Sequence, residues 1–191
     1  FTTAHGRAML EQPDTLLTIA EIAVAFAGFA GIASVLGRRH PSIDPRVNAL
    51  RLHNMVDVGL GVIFMAFAPV LLDAVMPHIT SDERWFWPLT SGIALLWGVA
   101  LFLRMSNRAR PVEQLIGYDL PGQLRVKVLG VLAMGSAACN IAFPDHALSY
   151  AVYLSAVLIC LTVCGILFMR ILNSLLVIEL SEDEGASRGH R

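Results

Sequence analysis

Five apolar runs, each about 18 to 23 residues long, follow one another along the chain: Leu16 to Gly37, Met55 to Met76, Phe86 to Leu103, Val126 to Phe143 and Ala147 to Met169. One helix needs a run of that length to cross a hydrocarbon core of roughly 30 Å, and only a helix or a closed barrel satisfies its own backbone hydrogen bonds in lipid. Turn and cap signals separate the runs. Pro13-Asp14 sets a capping carboxylate ahead of the first, and Asp44-Pro45 reads as an N-cap followed by proline at the first helical position. Trp85-Phe86-Trp87-Pro88 is the aromatic pattern of a helix crossing the headgroup layer, and Pro144-Asp145-His146 turns the chain before the fifth run. The expected fold is all-α: a multi-pass helical membrane protein with about five transmembrane helices in one domain covering residues 1–191. The fourth run is short for a bilayer, and Lys127 near its start is placed to snorkel.

Composition agrees with that class. Of the 191 residues 55% are hydrophobic and 15% charged, against about 25% charged in an ordinary soluble domain. The net charge of −1 leaves no excess basicity to attract nucleic acid. The three cysteines, Cys139, Cys160 and Cys164, all lie in apolar runs and have neither disulfide-framework nor zinc spacing, so they read as small apolar residues.

Basic residues set the expected orientation, because Lys and Arg near spanning segments stay cytoplasmic. Twelve of the 14 fall on one side: Arg38, Arg39, Arg46 and Arg51, then Arg104, Arg108, Arg110, Arg125 and Lys127, then Arg170, Arg188 and Arg191. Arg7 and Arg84 fall on the other. This predicts the N-terminus outside and the C-terminus in the cytoplasm, in an inner or plasma membrane. The segment before Leu16 does not combine a charged n-region with a small-residue cleavage site, so the first run is expected to be a retained helix. After Arg170, residues Ile171 to Leu180 stay apolar and helix-compatible, which predicts an extension over 170–180 and a disordered tail over 181–191.

Glu21 carries the most information. It lies about one and a half turns inside the first run, where a carboxylate costs about 2.5 kcal/mol or more. Two readings are open. Either Glu21 is structural, snorkelling or bonded to a neighbouring helix, or it is an ion-attracting group at a subunit interface or in an aqueous cavity. Its helix is rich in small residues, and Ala27, Gly28 and Gly31 are candidate helix-packing positions where another backbone approaches closely. His53 and Asp57, four apart at the start of the second run, share a face and form either an interfacial ion pair or a proton-relaying pair. Asp73 marks the other end of that run, beyond Pro69, and Gly59, Gly61 and Pro69 can kink or thin the helix. Asn140 and Asn173 are expected to hydrogen-bond between helices.

Chemistry of the soluble-enzyme kind is not expected. The chain has no Gly-rich phosphate loop, no Gly-x-Ser-x-Gly and no His-Glu-x-x-His. No histidine arrangement suits haem and no metal-ligand spacing occurs, so neither cofactor nor metal is expected. Repeated arginines of a voltage sensor and the internal repeats of many transporters are also missing. The expected function is that of a small homo-oligomeric membrane protein conducting cations, with Glu21, His53, Asp57 and Asp73 as the ion-interacting set. The rival is a non-catalytic scaffold or accessory subunit that docks partner proteins through the small-residue face or through Ile171 to Leu180. The basic stretches Arg38 to Arg51 and Arg104 to Lys127 would also suit anionic lipid, although topology already explains them.

Overall fold

The computed structural model describes residues 3–37, 45–76, 83–116, 120–143 and 148–188, and within them the side chains of 14–29, 31–32, 49–76, 85–108, 110, 124–143 and 148–173. All but three of the described residues, Met76, Phe143 and Leu148, are helical: α1 (Thr3–Gly37), α2 (Pro45–Val75), α3 (Glu83–Ile116), α4 (Leu120–Ala142) and α5 (Ser149–Arg188). Among the described residues four stretches are long and apolar enough to cross a membrane: Ala49–Val75, Trp85–Arg108, Leu124–Ala142 and Ser149–Asn173. α1 contains the run Leu16 to Gly37, of which the described side chains cover 16–29 and 31–32.

Several helix ends lie beyond the apolar runs. α1 begins at Thr3 and continues through Pro13, so Asp14, expected as its cap, lies inside the helix and its carbonyl accepts the Thr18 hydroxyl at 2.9 Å. α3 runs on to Ile116, well past Leu103, and α5 reaches Arg188 rather than ending at Leu180. The physical reason is cooperativity: once nucleated, a helix gains one hydrogen bond for each further residue it fixes, and the acidic Ser181 to Glu184 segment is a weak stop.

α2, α3, α4 and α5 pack in sequence, and α5 closes back onto α2, giving a four-helix ring. Among the described residues α1 lies outside the ring in the groove between α2 and α5 and touches neither α3 nor α4. Its inward stripe is Leu16, Ile19, Ala20 and Ala23, at helical spacing, and it packs with Val62, Met65 and Ala66 of α2 and with Tyr153 and Val157 of α5. A second cluster joins Met55 and Val58 of α2 to Val163, Cys164, Leu167 and Ile171 of α5. Small residues allow the close approach in the α1–α2 seam. A Cβ added at Gly59 would lie 3.8 Å from both the Ala23 carbonyl and the Ala27 Cβ. The outer surface carries large apolar side chains such as Leu96, Phe143 and Val75, each at least 70% exposed, which is the surface a lipid-embedded bundle presents.

Candidate functional site

Among the described residues, three polar connections tie helices of the ring together. Pro69 has no N–H, so the Met65 carbonyl one turn earlier in α2 loses its helical donor. The Tyr153 hydroxyl of α5 donates to that carbonyl at 2.5 Å. Asn140, buried on α4, donates through Nδ2 to Ser91 Oγ of α3 at 2.8 Å and to the Ser149 carbonyl at the start of α5 at 3.0 Å. This is the interhelical role expected of Asn140. Asn173 is exposed at the far end of the spanning stretch Ser149–Asn173 of α5.

The third connection corrects an expectation. Asp57 does not form the expected pair with His53. Arg108 of α3 donates to Asp57 Oδ2 at 2.6 Å, and Arg104 Nε lies 3.7 Å from the same oxygen. His53 is exposed, and its Nδ1 is bonded to the Ala49 carbonyl of its own helix at 2.7 Å. The cause is reach and charge: a permanently charged, forked guanidinium from the neighbouring helix offsets the cost of a carboxylate near lipid better than an imidazole ring does. Asp73 is exposed at the far end of α2, about 30 Å from His53 along the helix axis, so the four acidic and imidazole candidates do not form one site.

Glu21 occupies a different setting from the other three. It is exposed on the outward face of α1, opposite the buried stripe, with Ala25, Gly28 and Ile32 following on the same side. Its depth follows from register. Gly59 lies against Ala23 and Ala27, and the seven-residue connection between α1 and α2 makes them antiparallel neighbours, which brings Glu21 level with about Ile63. That is the middle of the Ala49–Val75 span. The distance to either end is about 20 Å, much more than a glutamate side chain can reach. Added Cβ atoms at Gly28 or Gly31 would meet nothing within 4 Å, whereas Ala27 is in the seam with α2. The three packing candidates therefore divide: Ala27 serves the fold of one chain, whereas Gly28, on the outward face, and Gly31, one turn beyond Ala27, have open space beside them. Of the docking stretch Ile171 to Leu180, Ile171 is buried against α2, and the side chains of 174–180 lie outside the described residues.

Sequence reasoning missed a cavity of about 150 Å³ inside the four-helix ring. Val62 and Met65 of α2, Ala94 of α3, Ala133 and Ala137 of α4 and Tyr153 and Val157 of α5 line its buried end. At the other end the lining turns polar, with Arg51, Asn54, Ser106, Lys127 and Arg170. The only available signal was the coincidence of glycines and alanines on α3 and α4, which in isolation reads as close packing.

Comparison of the chain with protein-family models, with curated proteins and with solved structures finds no match. The functional reading therefore rests on the residues themselves.

Proposed function

We propose that the protein is a homo-oligomeric membrane assembly in which α1 is a fifth spanning helix, the N-terminus lies outside, and the outward face of α1 joins copies around a cation pathway containing Glu21. The observation that carries this reading is the position of Glu21 at mid-span on the exterior of the bundle. A carboxylate there, facing lipid, costs about 2.5 kcal/mol or more, and snorkelling is too short to relieve it. A polar surrounding supplied by neighbouring copies relieves it, and Gly28 and Gly31 leave room for a second helix to approach. Repetition about an axis turns one carboxylate per chain into a ring that attracts cations and replaces part of their hydration shell.

Cation flux through liposomes carrying the purified protein tests the reading. Wild type is expected to conduct, and Glu21→Gln to cut flux about tenfold or more with particle size unchanged, since the isostere keeps volume and loses charge. A wild type that passes no cation at any pH or potential, beside a Glu21→Gln variant of higher melting temperature, would favour the scaffold instead.

A further inference from the structure

No α1 residue lines the cavity inside the ring, so the cavity is separate from the proposed α1 pathway. Each of the four ring helices lines it over about 16 Å or more, on α2 from Asn54 to Met65. A volume of about 150 Å³ drawn out over that length makes the cavity narrow. Lys127, the one exposed lining residue, marks its open end, and Ala94, Ala137 and Tyr153 close the other. Several polar groups of the lining are already engaged. The Tyr153 hydroxyl donates to the Met65 carbonyl, and Lys127 and Arg170 interact with other groups of the chain. Asn54, at the open end, differs: its Oδ1 is buried and has no hydrogen-bond partner. A buried acceptor without a donor is costly, and a ligand that donates to it recovers that cost.

From these observations we infer that the cavity binds a linear, uncharged alcohol, its hydroxyl donating to Asn54 Oδ1 and its alkyl tail directed toward Tyr153. The acceptor selects the head group. An ionised carboxylate and an ether offer acceptors only and leave Oδ1 unpaired, whereas a hydroxyl donates. An ammonium also donates, but it would give up its hydration in a lining that is apolar beyond the open end. Shape and size select the tail. A narrow cavity admits one unbranched chain, and since an apolar cavity of about 150 Å³ accommodates one benzene, this one holds a tail of roughly six to eight carbons and not two acyl chains.

The test is equilibrium dialysis of radiolabelled octan-1-ol against the full chain in phosphatidylcholine nanodiscs, with empty nanodiscs as the partition control. Saturable binding is expected. The isomer 1-methoxyheptane has the same atoms without a donor, and octanoate at neutral pH has acceptors only; each should compete at least about fivefold more weakly, the worth of one hydrogen bond. Asn54→Leu removes the acceptor at similar volume. This variant should fold at least as stably as wild type and bind octan-1-ol and 1-methoxyheptane without preference. Ala133→Leu and, separately, Gly130→Leu fill the cavity and should abolish saturable binding; either variant counts when its melting temperature matches wild type. Binding that never saturates, or 1-methoxyheptane or octanoate as tight as octan-1-ol on wild type, would overturn the proposal. So would an alcohol preference that survives Asn54→Leu, or full binding to a stably folded cavity-filled variant.

Discussion

The Tyr153 hydroxyl of α5 supplies the donor that Pro69 withholds from the Met65 carbonyl of α2, at 2.5 Å across the bundle. A proline inside a spanning helix is tolerated where a neighbour satisfies the carbonyl it frees, and here that neighbour is the largest fully buried side chain among the described residues. The pair thereby ties the kinkable part of α2 to α5 at the closed end of the cavity.

Removing the hydroxyl should therefore be costly only while the proline is present. Tyr153→Phe is expected to lower stability by about 1 to 3 kcal/mol, since a buried carbonyl loses its only strong donor. In a Pro69→Ala background the helix recovers its own N–H donor, and the same Tyr153→Phe change should cost much less. A double-mutant cycle on thermal unfolding in detergent measures the difference. Equal costs in both backgrounds would mean that the hydroxyl does not substitute for the missing amide.

Asp57 and Arg108 should behave as a coupled pair and His53 as a bystander. Asp57 is 15% exposed and Arg108 33%, so removing either leaves a poorly solvated charge behind. Asp57→Asn and Arg108→Gln should each destabilise the bundle, and a cycle between them should give a coupling of about 0.5 to 3 kcal/mol. His53→Gln should leave the melting temperature within about 1 °C, in line with a near-neutral surface change. A His53 variant as damaging as Asp57→Asn would restore the i, i+4 pair.

The contrast between those two residues shows where sequence reading stops. Apolar run length located the helices, because crossing lipid constrains it strongly, and the Asp44-Pro45 signal marked the start of α2 at Pro45, whereas the Asp14 cap signal failed because α1 begins at Thr3. Spacing placed His53 and Asp57 on one face correctly, yet the partner that won lies 51 positions away on α3, and no local pattern encodes which helices become neighbours. Asn140 was legible because a buried amide in lipid must bond to another helix whichever helix that is. Glu21 was legible as an expensive carboxylate, but its depth was not, since that depends on the register of Ala23 and Ala27 against Gly59. The cavity was hidden for a related reason: it is a gap left between four helices, and each helix alone shows only small residues.

Orientation has its own check. The connections near Asp82 and Asp145 should lie on the side opposite to Arg46 and Arg110, because twelve of 14 basic residues gather on one side. Single cysteines introduced at these positions should react with a membrane-impermeant maleimide as two groups, the first labelled from outside in intact cells and the second only after permeabilisation. Labelling of positions 82 and 110 from the same side would contradict five spans.

Particle mass tests most directly whether the outward face of α1 joins copies of this chain. Native mass spectrometry of the protein released from nanodiscs should give an integer multiple, greater than one, of the 20.7 kDa chain. Gly28→Leu combined with Gly31→Leu should shift it to 20.7 kDa while helicity is kept, because both positions have open space within one chain but would separate two closely packed helices. A wild-type particle of 20.7 kDa, or a leucine variant that keeps the full oligomeric mass, would contradict the account.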